Sequence, residues 1–131
     1  MMSGATMKGV ITRSTAPSNG GVGHLYIAII DGNPMFGSGT PVATKLIENV
    51  DMNDQNVMIE YEITGIPPRN ADYYYTAFLD DNGTASSTNP DEAGPDRGDL
   101  VHLNGFSVPT IKINTDGVIQ QDIELNAIMP F

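Results

Sequence analysis

The chain has 131 residues, a net charge of −10 and no cysteine. That length suits a single domain, residues 1–131, able to bury a core without staples, with residues 1–6 expected outside the fold. Thiol catalysis, disulfides and thiolate metal sites are excluded, and nucleic acid and anionic membranes are disfavoured, because their phosphates would be repelled.

Eight strands are predicted in chain order: Met7–Arg13, Gly23–Ile30, Val42–Val50, Val57–Thr64, Asp72–Leu79, Leu100–Leu103, Phe106–Ile113 and Val118–Leu125. The fourth has Val57, Ile59, Tyr61 and Ile63 on one face and Met58, Glu60, Glu62 and Thr64 on the other. Period two is the mark of a half-buried strand. In the last strand Ile119, Ile123 and Leu125 alternate with Gln120, Asp122 and Glu124 in the same way. His24–Ile30 and Tyr73–Leu79 are apolar on both faces, as central strands are; a short buried helix is the alternative for each.

Turn residues separate the strands. Asn104-Gly105 and Asn114-Thr115-Asp116-Gly117 read as hairpins, and Gly65-Ile66-Pro67-Pro68 as a turn. Pro109 marks an edge or bulged strand. No amphipathic helix and no repeat is evident. Short strands between turns predict an all-β fold, an antiparallel two-sheet β-sandwich of about eight strands, with a closed barrel as the alternative.

Two segments carry a resemblance. Ile63 to Gly83 contains Gly65-Ile66-Pro67, then Tyr73-Tyr74-Tyr75, then the loop from Phe78 to Gly83; upstream, His24 to Asp31 is an apolar strand closing on Asp. The pattern is similar to transthyretin-like (prealbumin-like) domains, including the carboxypeptidase regulatory-like group of bacterial surface proteins. The resemblance covers about half the chain and implies a sandwich and an extracytoplasmic role, without a catalytic site. The insertion Pro68-Arg69-Asn70-Ala71-Asp72 and a longer acidic loop depart from it.

The acidic loop is the functional clue. From Asp80 to Asp99 the chain carries Asp80, Asp81, Asp91, Glu92, Asp96 and Asp99 against one base, Arg97. Ca²⁺ takes six to eight oxygens from a chain able to wrap around it. Asp80, Asp81, Asn82, Asp96 and Asp99 supply that chemistry, although the spacing is not that of an EF-hand. A solvated loop that binds nothing is the alternative. If strands alternate in direction, the loops holding Asp51 and Asp54, the acidic loop, and the loop holding Asp116 share one rim.

Other constellations are weaker. His24 and His102 lack partners at metal-ligand spacing and read as half-buried strand residues. No nucleophile elbow, P-loop or dinucleotide motif occurs. Gly32–Pro41 is glycine-rich with no helix behind it to hold a phosphate. A carboxylate-based hydrolase could use Asp80, Asp96 or Asp99, but a rim offers little apolar surface to separate two pKa values. Tyr61, Tyr73, Tyr74 and Tyr75 could stack on sugar, though core positions suit them better.

MMSGATMKG has no apolar h-region, so no signal peptide is expected, and no run is long enough to span a bilayer. Abundant Asn, Thr, Ser and Gly with scarce Lys lean toward an extracytoplasmic location. The expectation is a non-enzymatic binding or adhesion-type module for a protein or glycan ligand. It would be a monomer or weak oligomer, with Ca²⁺ held at one rim and no membrane insertion.

Overall fold

The structure is a computed structural model and describes residues 4–17, 20–33, 39–80, 99–103 and 108–129. Among them there are ten strands and no helix: β1 Ala5–Arg13, β2 Val22–Ile30, β3 Pro41–Asp51, β4 Ile59–Ile66, β5 Tyr73–Asp80, β6 Leu100–Val101, β7 Thr110–Ile111, β8 Val118–Gln120, β9 Ile123–Leu125 and β10 Ala127–Ile128. They form two sheets packed on a shared core, a β-sandwich.

In the first sheet β4 pairs antiparallel with one edge of β1. Along the other edge of β1 lie β8 and β9, in one continuous register and both parallel to it: Thr6 pairs with Val118 and Ile11 with Ile123. The all-antiparallel expectation is therefore corrected to a mixed sheet. The physical reason is the route of the chain. It leaves β7 at the end where β1 begins, so it enters beside β1 in the same direction. Asn114–Gly117 is thus an arch between the two sheets, not a hairpin, because β7 and β8 pair in different sheets.

The second sheet is built on β2 and β5, paired antiparallel from His24–Asp80 to Ile30–Tyr74. β3 flanks β2, and β10 extends the sheet beyond β6. β6 pairs with Phe78 and Leu79, and β7 with Tyr73 and Tyr74, both antiparallel to the same edge of β5. They are two pieces of one interrupted strand. Both β6 and β7 pair with β5; the hairpin expected at Asn104-Gly105 falls on residues 104–107, which lie outside the described residues.

Alternation explains the core. Leu25, Ile27 and Ile29 of β2 and Tyr75, Ala77 and Leu79 of β5 are buried with Met7 and Ile11 of β1 and Tyr61 and Ile63 of β4. Each such aliphatic side chain contributes about 1.5–3 kcal/mol by leaving water. The opposite face of β2 and β5 has its own cluster, Tyr26, Phe78 and Val101, flanked by Leu46, Leu103, Ala127 and Met129. That second cover is why both runs are apolar on both faces.

The expected strand Val118–Leu125 is split into β8 and β9, β10 is an addition to the eight expected strands, and most other boundaries move; three of the shifts are informative. Ala5 and Thr6 belong to β1 and Ala5 is fully buried, so the fold starts inside the segment expected to lie outside it. Val57 and Met58 precede β4 instead of starting it. Gly65 and Ile66 extend β4, because Gly65 at φ 73° absorbs an extra residue where the β1–β4 register shifts. Such a bulge favours glycine, which alone takes positive φ without steric cost.

Candidate functional site at the stem of residues 81–98

Strand register assembles a row of polar groups at one end of the second sheet. β2 sets His24 opposite Asp80. On the other side of β5, Phe78 pairs with Val101 and Leu79 with Leu100, so the next position brings Asp99 beside Asp80. Leu79 and Leu100 enter the shared core. Alternation therefore turns Asp80 and Asp99 to the opposite face, with Tyr26, Phe78 and Val101. Directly opposed residues place their Cβ atoms about 5 Å apart. Asp80 is 7% exposed and Asp99 0%.

The aromatic groups beside the pair are ordered. Tyr26 stacks on Phe78 with centroids 4.8 Å apart, and His24 meets Tyr26 edge-on at 6.4 Å. The Tyr26 hydroxyl pKa is raised, first by burial and then by the charges of Asp80 and Asp99. The Asn49 N–H donates to His24 Nδ1 at 3.3 Å. Asn49 has φ 55°, the one left-handed non-glycine among the described residues.

Of the five predicted ligands, Asp80 and Asp99 are brought together; Asp81, Asn82 and Asp96 lie outside the described residues. Asp51 and Asp54 share this rim, since Asp51 pairs with Val22 at the start of β2. Their carboxylates close local turns: Asp51 Oδ1 accepts from Asn53 N and Nδ2, each at 3.0 Å, and Asp54 Oδ1 accepts from Asn56 N at 2.8 Å. Asp116 is at the other end. The N–H of Thr6, near the start of β1, donates to Gly117 O, so the expected three-loop rim loses its third member. The parallel pairing of β1 and β8 is the cause. Among the described residues no three His, Asp or Glu side chains converge as a metal-binding group.

The remaining candidates take structural places. Tyr61, Tyr73 and Tyr75 are buried in the core and Tyr74 is half-buried, so they do not form an exposed stacking platform. His102 is half-buried, stacks on Tyr75 at 5.9 Å and donates from Nδ1 to Glu124 O at 2.6 Å. The roles of His24, Tyr26 and Asn49 beside the acid pair were not anticipated. Their signal was the β2–β5 register, which no local pattern encodes.

Asp80 and Asp99 are carboxylates largely withdrawn from water, and each has interactions in place. As hard oxygen donors they suit part of a Ca²⁺ shell, and the rest would have to come from other groups. No family model, no curated protein and no solved structure matches the chain.

Proposed function

We propose that this protein is a non-catalytic binding module, a transthyretin-like β-sandwich of the cell envelope or exterior, that holds Ca²⁺ at the stem of residues 81–98. The observation carrying this reading is the buried, side-by-side placement of Asp80 and Asp99 where an acid-rich segment leaves and re-enters the sheet. Asp80 and Asp99 supply the fixed carboxylates, and Asp81, Asn82 and Asp96 supply further oxygens. The cation neutralises the pair and fixes the segment that meets the protein or glycan partner.

Thermal unfolding in CaCl₂ tests it. A ligand that binds only the folded state at about a hundred times its Kd adds about 2.7 kcal/mol. In a chain of this length that raises Tm by about 8–14 °C. The shift should vanish in Asp80→Asn and Asp99→Asn while each variant still unfolds cooperatively. An unchanged wild-type Tm at millimolar CaCl₂ refutes the site.

A further inference from the structure

The chain contains two Asp-Gly dipeptides, Asp31-Gly32 and Asp116-Gly117. The structure holds them differently. Asp31 and Thr40 meet where β2 ends and β3 begins. The Asp31 N–H donates to Thr40 O at 3.1 Å, its Oδ1 accepts from Thr40 N at 2.5 Å, and its carbonyl accepts from Arg69 Nη2 at 3.0 Å. Residue 39 packs so closely on the Gly32 peptide that a Cβ on Gly39 would meet Gly32 N at 2.7 Å. Asp116 and Gly117 lie instead in the arch between the sheets, where every residue from Asn114 to Val118 is exposed. Among the described residues, the Asp116 carboxylate and the Gly117 N–H make no hydrogen bond or ion pair. A Cβ at Gly117 would meet nothing closer than Thr115 Oγ1 at 3.7 Å.

We infer that Asp116-Gly117 is a modification site, where the aspartate isomerises spontaneously to isoaspartate, while the fold protects Asp31-Gly32. The Gly117 nitrogen attacks Asp116 Cγ. The N–Cγ bond forms, the Cγ–OH bond breaks, and the amide proton leaves with that hydroxyl as water, giving a cyclic imide. Water then adds at the former main-chain carbonyl carbon and its bond to nitrogen breaks. The chain now runs on through Cγ, and the α-carboxylate is free. One water leaves and one enters, so no oxidant or cofactor is needed. The reaction makes two demands on the protein. The nitrogen must be unhindered, which glycine supplies, and the backbone must rotate to bring Cγ to it. At Asp31 that rotation breaks the bonds to Thr40 and Arg69; at Asp116 it breaks none among the described residues. The product carries one extra methylene in the backbone directly before β8. Gly117 O accepts from Thr6 N at 3.1 Å and Val118 pairs with Thr6, so the added length falls on the first contact of the parallel seam. The site is independent of the proposed cation site.

The test ages the full chain in neutral buffer at physiological temperature and maps it with trypsin. Cleavage after Arg13, Lys45 and Lys112 separates Asp31, in residues 14–45, from Asp116, in residues 113–131. Electron-transfer fragmentation locates isoaspartate, and an unchanged mass distinguishes it from deamidated asparagine. In the folded chain isoaspartate should accumulate severalfold faster at Asp116 than at Asp31. Unfolding in urea should close most of that gap, because the dipeptide is the same. Gly117→Ala, whose methyl has room, should fold as wild type and slow the reaction at Asp116 severalfold. The aged chain should lose amide protection at Thr6, read by hydrogen exchange, in step with its isoaspartate content. The inference is overturned by any of four results. These are equal rates at Asp31 and Asp116 in the folded chain, a gap that persists undiminished in urea, a Gly117→Ala rate equal to wild type, or full protection of Thr6 in the isomerised chain.

Discussion

Gly9→Ala should be the most damaging single-methyl change in the first sheet. Gly9 lies on β1 where β8 passes into β9, and a Cβ built there meets Gln121 O at 2.4 Å, Asp122 Oδ1 at 2.7 Å and Gln121 C at 2.8 Å. Two of these atoms are backbone, so no side-chain rotation relieves the overlap. The backbone cannot retreat cheaply either. Gln121 N–H donates to Lys8 O at 2.8 Å, Val10 N–H donates to Asp122 Oδ1 at 3.0 Å, and the Tyr61 hydroxyl donates to Gln121 O. Overpacking costs about 1–3 kcal/mol and each hydrogen bond lost in making room about 0.5–1.5 kcal/mol. The expected destabilisation is therefore about 2–4 kcal/mol. Urea unfolding should report it as a lower midpoint at unchanged slope. Gly117→Ala is the internal control, since its nearest neighbour would be Thr115 Oγ1 at 3.7 Å; it should stay within about 0.5 kcal/mol of wild type. Equal stability of the two variants would refute the close approach of Gln121 to Gly9.

Tyr61→Phe should cost about 0.5–1.5 kcal/mol at neutral pH through the lost bond to Gln121 O, read from the same urea curves. The hydroxyl pKa values of Tyr61, Tyr75 and Tyr26 are all raised above the ordinary 10.0, chiefly by burial. A raised tyrosine pKa leaves stability intact below pH 10.0 and erodes it above, because the unfolded chain ionises first. The loss should approach about 1.4 kcal/mol per pH unit for each tyrosine, and Tyr61→Phe should make the alkaline slope shallower. Arg69 donates to the carbonyls of Asp31, Ala71 and Asp72 and lies 4.1 Å from the Tyr73 ring centroid. Arg69→Ala should lower stability by about 1–3 kcal/mol and speed amide exchange at residues 31–33, measured by NMR. Asn126 exchanges two hydrogen bonds with the Leu103 backbone, each 2.9 Å, so Asn126→Ala should destabilise by about 1–3 kcal/mol in thermal unfolding.

The long strands were legible because burial is written into their alternation. Ile59, Tyr61 and Ile63 face inward as period two required, and the runs at Leu25–Ile30 and Tyr73–Leu79 proved covered on both faces. What the sequence could not supply was partnership. Asn114–Gly117 has the composition of a tight turn, yet the strands on either side pair with β5 and β1 instead of with each other. Turn chemistry is local, whereas an available sheet edge depends on the whole fold. The candidate site followed the same division. Acidity picked out Asp80 and Asp99, while the placement of Tyr26 near both and of His24 opposite Asp80 arose from register, and Asp116 was misplaced because direction of entry into a sheet leaves no local trace.

The parallel strand beside β1 also bears on how the molecule reaches its native state. Val10 and Asp122, bonded across that seam, are 112 residues apart. No short hairpin leads up to the contact, so the entropy of closing a chain-length loop must be met before the seam stabilises anything. Proteins dominated by such distant pairings fold on the millisecond-to-second scale. During synthesis β1 and β4 can meet early, but their sheet keeps an open apolar flank until residues 118–125 emerge. The interval in which Met7 and Ile11 lack their full cover is set by the chain's own order of elements, and that interval is when this protein is most exposed to aggregation.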